Sequence, residues 1–228
     1  MPEFRLLSYP MTSNAPVWPG NPPAAQTKAA SSIAAGDVAN TTVLTLFSHS
    51  GTHFDAPKHF NDQGPSGYQL AVDNFVFFNP LVLDLPKSDD EMIYREEVES
   101  AADRLAQADL VLLRTGWSQW RGVEPERYAT KNPMLHPDAA RYLMETFPNL
   151  RGVAIDAASI GAPGKIEPTI ETHQILTGKD RKDSRYMLIF EDLRIDSDLG
   201  QASRIYAWPL FIAESDGSPC TIVAEFDS

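Results

Sequence analysis

Residues 48–60 read Ser-His-Ser-Gly-Thr-His-Phe-Asp-Ala-Pro-Lys-His-Phe, and they restrict the backbone more than any other stretch of the chain. Three of the protein's five histidines fall here, where an even scatter would put roughly a quarter of one. Fully extended, the chain would hold His49 and His53 roughly 13 Å apart at ~3.3 Å per residue, too far to share one ion. A bend is required, and Gly51, without a Cβ, is able to make it. A continuous helix would also bring the two rings together, but Pro57 would remove a helical hydrogen bond and clash with the carbonyl of His53. The pattern therefore predicts a turn followed by a short extended piece in which His53 and Asp55 point the same way. Pro57 then opens a helical turn carrying His59, with Asp55 at the N-cap. Imidazole and carboxylate groups so gathered are donors that zinc prefers and that manganese or iron accept. A capping aspartate among polar loop histidines explains each residue singly. It does not explain four ionisable groups at these spacings with glycine and proline where the backbone must turn.

Composition narrows what surrounds this stretch. The 228 residues, 43% hydrophobic and 10% aromatic, show no compositional break and suit one domain, residues 1–228, with a well-buried core. No apolar run approaches the ~20 residues of a membrane helix. The start, Met1-Pro2-Glu3-Phe4-Arg5, lacks the basic and apolar segments of a secretion signal, so a cytoplasmic protein without membrane contact is expected. With 31 acidic against 19 basic residues the net charge is −12, which repels phosphate backbones and argues against nucleic acid as a partner. Cys220, the one cysteine, can form no internal disulfide and leaves no Cys-rich zinc site. Its apolar neighbours predict a small core residue rather than a nucleophile.

Along the chain, residues 4–8 read as a short strand, and Pro10, Pro16, Pro19, Pro22 and Pro23 then impose a loop. Trp18 in that loop is either a packing anchor or a pocket wall. Residues 41–48 alternate as a strand that would deliver the chain directly to His49. Strand character recurs at 75–85, at 152–156, and at 109–114, whose continuous apolar run suits burial on both faces. Residues 96–106 have helical spacing. Trp117 and Trp120 fit core packing better than a pocket. His136-Pro137-Asp138 opens a helix through Phe147, with His136 as a capping or surface residue. Asp156 and Ser159 at a strand end would orient a ligand or cap. Residues 167–176 form a helix that puts His173 on a rigid face. Residues 185–191 form a strand ending in Glu191, which either faces water or is buried and paired. Strands at 205–213 and 221–226 flank the hairpin signal Ser215-Asp216-Gly217-Ser218. Strands outnumber helices in mixed order, which predicts an α/β domain around a mixed, partly closed β-sheet with flanking helices.

The run His49-Ser50-Gly51-Thr52-His53-Phe54-Asp55-Ala56-Pro57-Lys58-His59 resembles the His-x-Gly-Thr-His-x-Asp-x-Pro-x-His signature of the metal-dependent cyclase-like hydrolases, the family of bacterial kynurenine formamidase and isatin hydrolase. Each fixed position is matched. The likeness continues through Trp18-Pro19-Gly20, Thr115-Gly116-Trp117, Ile155-Asp156-Ala157-Ala158-Ser159-Ile160, His173 and Glu191. The resemblance implies a swivelling β/β/α architecture and a divalent metal, zinc or else manganese, as one or two ions. His49, His53 and Asp55 would hold one ion, Asp55 bridging to a second held by His173 and Glu191. His59 would be the general acid/base, and Trp18 with Phe54 would flank an aromatic ring.

The implied reaction is hydrolysis of a small aromatic amide, an aryl formamide such as N-formylkynurenine, by metal-activated water in a homodimer or higher homo-oligomer. A cyclic amide such as isatin, a lactone or ester, and a non-catalytic metal-binding role are the alternatives. The charged segment 177–184, between His173 and Glu191, is longer than the family pattern needs. It reads as a surface insertion or a lid and bears on the second ion.

Overall fold

The computed structural model describes residues 1–195 and 198–227. In chain order the elements are β1 (Glu3–Leu6), β2 (Ala25–Ser31), β3 (Thr41–Leu46), β4 (His53–Asp55), β5 (Val76–Phe77), β6 (Pro80–Asp84) and β7 (Met92–Ile93). Helices α1 (Arg95–Glu99) and α2 (Ala102–Leu105) lead to β8 (Leu110–Arg114), α3 (Pro125–Thr130), β9 (Met134–Leu135) and α4 (Pro137–Thr146). Then come β10 (Gly152–Ile155), α5 (Ile166–Leu176), β11 (Leu188–Glu191), β12 (Arg204–Pro209) and β13 (Gly217–Phe226).

The buried apolar runs become the parallel half of one mixed sheet. Strands β6, β8, β10 and β11 lie side by side and parallel. Strand β11 then meets β4 antiparallel, and β13, β12 and β5 continue antiparallel, with β1 also paired to β13. Alternation along β8 splits its side chains between two cores. Leu110 and Leu112 join Phe54, Phe77, Phe190 and Ile222 on one face. Val111 and Leu113 join Leu105, Leu143, Met144 and Leu176 beneath the helices on the other. Two-sided burial is what a parallel strand under crossover helices requires.

The ends of the sheet path, β5 and β6, are separated in sequence only by Phe78 and Asn79, so the sheet must curl towards closure. One carboxylate fastens that join. Asp109 accepts the backbone N–H of Phe78 at 2.8 Å and of Asn79 at 2.9 Å. Arg151 donates to the same carboxylate at 3.0 Å and to the carbonyl of Val76 at 2.6 Å. A mixed, nearly closed sheet with helices packed outside it is the architecture the sequence predicts.

Three local expectations are corrected. Strand β3 exists, but it pairs only with β2 in a separate two-stranded ribbon and ends at Leu46, so no strand of the main sheet delivers His49. Its alternation reflects a free-standing ribbon whose Val43 and Leu44 are more than half exposed. The helix at 96–106 is broken into α1 and α2, since Ser100 turns its hydroxyl back onto the Glu97 carbonyl at 2.7 Å and such back-bonding bends helices. In the segment 177–184 the first two residues are buried, the rest form a surface turn with an Arg181–Asp183 ion pair, and none of it borders the cavity that holds the histidines, which removes the lid.

Asp109→Ala should lower unfolding stability by at least about 1–3 kcal/mol, because it strands two backbone donors. The exposed Asp103→Ala should change it by no more than about 0.5 kcal/mol. Urea denaturation of both variants checks the latch.

Candidate metal centre

Strand β4 is three residues long and lies inside the main sheet, between β11 and β13. Its register sets His53 opposite Glu191 and Asp55 opposite Gly217. Gly51, at φ +62°, makes the turn that leads in, a conformation that favours glycine. Gly217 serves a different need, since a Cβ there would come within 2.7 Å of His49 Cε1 and 2.6 Å of the Phe54 carbonyl oxygen. Pro57 opens a short 3-10 turn, Pro57–His59, that brings His59 back over the strand. The residue at its N-cap is Ala56, not Asp55, because the Asp55 carboxylate is engaged by a histidine instead.

The structure gathers the other five predicted metal and acid/base residues around Asp55. His49 Nδ1 and Asp55 Oδ1 lie 2.7 Å apart. His53 Nε2 lies 3.4 Å from Asp55 Oδ1 and 3.2 Å from Glu191 Oε2, near enough for charge to matter but without hydrogen-bond alignment. His173 Nε2 lies 3.5 Å from Glu191 Oε1 and 3.8 Å from Asp55 Oδ2. Potential ligand atoms of His53, Asp55 and Glu191 fall within 4.8 Å of one another, as do those of His49, Asp55 and His59. Asp55 is common to both groups, although His49 and His53, expected to share one ion, stand in different groups.

Backbone carbonyls fix two of the rings. His53 Nδ1–H donates to the Gly51 carbonyl at 2.8 Å, and His173 Nδ1–H to the Thr169 carbonyl at 2.7 Å. Each bond leaves Nε2 as the lone-pair nitrogen, aimed at the carboxylates, which is how metal-binding histidines are held. Glu191 is steadied by Ser159 Oγ at 3.0 Å and the N–H of Ile160 at 2.7 Å. His53 Nε2 and Asp55 Oδ2 are buried without a hydrogen-bond partner. Two orphaned polar atoms amid imidazole and carboxylate donors fit a divalent cation, whose ligands of choice these are.

The electrostatics agree. Burial disfavours protonation of His49, but the Asp55 and Asp216 carboxylates outweigh it and raise its pKa to about 9. Burial pushes the Asp55 carboxyl up, and the neighbouring imidazoles, His59 and His49 foremost, hold it well below the usual carboxylate range. Burial raises Glu191 likewise, with Asp55 adding to it, yet His173 and His53 keep it low. The centre is a set of ionised carboxylates in need of cationic partners.

A cavity of about 270 Å³ opens over this cluster. Asp55, His59, His173 and Glu191 form its floor, and Trp18, Phe47, Phe60, Ile166 and Ile170 its apolar walls. Trp18 is thus a wall rather than a packing anchor. Phe54 is not one: it alternates away from His53 and Asp55 into the core against Phe75 and Phe190, and Phe60, stacked on His173 at 4.5 Å, occupies the ring-facing place instead. Trp117 is core, and His136 caps α4 by accepting the N–H of Asp138. Asp156 caps too, accepting the N–H groups of Thr115 and Gly116. A wider cleft of about 630 Å³ beside α1 and α4 contains no member of the cluster.

Two features escaped sequence reasoning. One is Asp216, which bonds both His49 and His59. The other is a clamp behind Glu191. Asp192, at the left-handed φ of +56°, accepts two bonds from Arg121 at 2.7 Å each and one from Tyr128 Oη at 2.6 Å. Its carbonyl accepts Thr52 Oγ1 at 2.7 Å, so the residues beside Glu191 and His53 are tied together. The hairpin signal pointed to the place of Asp216 but not to its use, and nothing local marks Arg121.

The family model described as putative cyclase matches residues 6–162. A kynurenine formamidase from Bacillus cereus is 29% identical over 222 residues, which are 97% of this chain and 96% of that one. Isatin hydrolase A from Labrenzia aggregata, solved with benzyl benzoate, superposes with a TM-score of 0.83 at 22% identity over 100% of this chain and 94% of that one. A structure described as a potential metal-dependent hydrolase with cyclase activity gives 0.72 at 23% identity, with both chains fully covered.

Arg121→Met should cost about 3–5 kcal/mol, because it leaves the buried Asp192 charge without its partner. Arg121→Met combined with Asp192→Asn should recover a large part of that loss, as thermal and urea unfolding would record.

Proposed function

The chain belongs to the cyclase family, and from that membership together with the buried cluster we propose that it hydrolyses an amide of a small aromatic substrate with the help of a divalent metal. The observation that carries this reading is the pair of orphaned buried atoms, Asp55 Oδ2, of a residue on the floor of an aromatic-walled cavity, and His53 Nε2, which lies behind that floor 3.4 Å from Asp55 Oδ1. On the family pattern His49, His53 and Asp55 would hold the principal ion, zinc before manganese, although His49 and His53 stand in different ligand groups here, and Asp55 would reach towards His173 and Glu191 for a second. Such a cation lowers the pKa of a coordinated water towards neutrality and polarises a carbonyl oxygen. The side chains do the rest. His59 takes a proton as water attacks the carbonyl carbon and returns it to the departing nitrogen, work suited to an imidazole at neutral pH. Trp18 and Phe60, with Ile166 and Ile170, bury the ring and exclude bulk water.

Aryl formamides are the first substrate class, by likeness to the kynurenine formamidase. A neutral cyclic amide of the isatin kind is favoured by one observation. Among the described residues that line the cavity there is no lysine or arginine to pair with the carboxylate of the amino-acid tail of N-formylkynurenine, whereas an uncharged ring needs no such partner. The whole chain acts as a single catalytic domain. The buried, unpaired thiol of Cys220 suits a reducing compartment such as the cytoplasm, and no helix among the described residues is long and apolar enough to cross a membrane. It works as a homodimer or higher homo-oligomer, for which the exposed ribbon of β2 and β3 offers apolar side chains, Val43 on one face and Leu44 on the other.

A panel of N-formyl arylamines, N-formylkynurenine, isatin and simple lactones tests the reading. Chelation should abolish amide hydrolysis, and zinc or manganese should restore it, while far-UV circular dichroism stays constant; loss of the fold instead would mark a structural metal. His59→Ala should retain its metal by elemental analysis and lose roughly 10²–10⁴ in kcat. Near-normal turnover would remove His59 from the chemistry.

A further inference from the structure

Asp216 sits in the turn between β12 and β13, in the sequence Ser215-Asp216-Gly217, and one of its oxygens touches two rings. Oδ2 accepts from His49 Nε2 at 2.8 Å and from His59 Nδ1 at 3.1 Å. The rings themselves are stacked, with centroids 3.7 Å apart and planes 24° from parallel. Stacked imidazoles repel when both are charged, and a shared anion at their edges offsets that repulsion. We infer that Asp216 is a positioning residue that locks His49 and His59 into a single arrangement, one oxygen setting the direction of a metal ligand and of the acid/base together.

Three observations support this beyond the two bonds. The backbone of Asp216 is itself pinned, because its carbonyl accepts the N–H of Ala56, the residue after Asp55, at 3.0 Å. The side chain is therefore aimed from a fixed point although it is 42% exposed. Gly217 next to it leaves the room that the His49 ring fills. An ionised carboxylate only accepts, so both facing nitrogens carry the proton. That assigns Nε2 of His59 to proton transfer and Nδ1 of His49 to the Asp55 side of the cluster. A carboxylate behind a metal-binding imidazole fixes its tautomer and orientation, and its loss typically weakens metal binding or activity 10–100-fold. Here the same carboxylate also holds the acid/base, which couples the two functions.

The inference rests on the hydrolase reading for His59 but not for His49, and the test separates them. Asp216→Asn keeps the size of the side chain but is neutral, so its amide oxygen cannot give both N–H groups a charge-assisted bond. Asp216→Glu restores a carboxylate that can. With thermal melting to confirm folding, zinc affinity is read by competition with a chromogenic chelator, and the visible spectrum is read on cobalt-loaded protein. At saturating zinc, D216N should lose about 10–100-fold in kcat with KM changed far less, bind zinc about 10–100-fold more weakly and show a displaced cobalt spectrum, and D216E should recover part of each. Zinc affinity, spectrum and kcat all within twofold of the parent protein would overturn the inference. If the parent protein hydrolyses no amide of the panel, the hydrolase reading falls, while zinc affinity and the cobalt spectrum of D216N still decide whether Asp216 positions His49. Should D216N fail to fold, D216E is read by the same three measurements, and values equal to the parent protein in a carboxylate displaced by one methylene would equally overturn it.

Discussion

Two carboxylates, Asp55 and Glu191, lie almost wholly out of water in the middle of this protein, and the rest of the structure is arranged around that cost. An ionised carboxylate moved into a low-dielectric interior is tolerated only when cations or well-aimed donors surround it. Here the surroundings are His49, His53, His59 and His173, together with the hydroxyl of Ser159 and the amide of Ile160. His49, His53 and His173 are raised in basicity by the same carboxylates whose acidity they increase, and the two orphaned atoms left at the centre mark where a small cation belongs.

A site of that kind demands rigidity from its supports, because a ligand atom displaced by an ångström no longer reaches the ion. Each support has an identifiable source. Strand β4 is held on both sides by neighbouring strands, α5 holds His173 through its own Thr169 carbonyl, and Arg121 with Tyr128 fixes Asp192 in a conformation its residue type rarely adopts. Strain of this sort persists where neighbours over-determine the backbone, and it lies here directly beside Glu191.

Much of this was legible in the residues alone. Gly51 and Pro57 announced the turn and the short extended piece, and the buried run of β8 announced a parallel strand covered on both sides. What could not be read locally was long-range. Asp216 meets His49 across 167 residues and looked like any hairpin aspartate. Arg121 meets Asp192 across 71 residues from a short helical turn with no periodicity to mark its inner face. The alternation of β3 was real, but periodicity reports which side chains share a face, not what that face is packed against, and this ribbon leaves the main sheet. The placing of Phe54 failed for a reason already present in the sequence. If His53 and Asp55 share a face of a strand, the residue between them must point to the other one.

That same period of two explains how separate pieces of chain become one site. Glu191 is opposite His53 and Asp55 is opposite Gly217 only in one register of β4 against its neighbours. A slip by one residue would bring Phe190 to the cluster and bury Glu191 among Phe75 and Phe77, and on β4 it would exchange Phe54 for the two ligands. The aromatic residues between the ligands forbid this, since Phe54 and Phe190 are large, fully buried and packed with one another on the core face. The hydrophobic core therefore does more than stabilise the sheet. By accepting only these rings on its side, it decides which carboxylates and imidazoles face the cavity, and the chemistry of the centre is fixed by packing on the opposite face of the same strands.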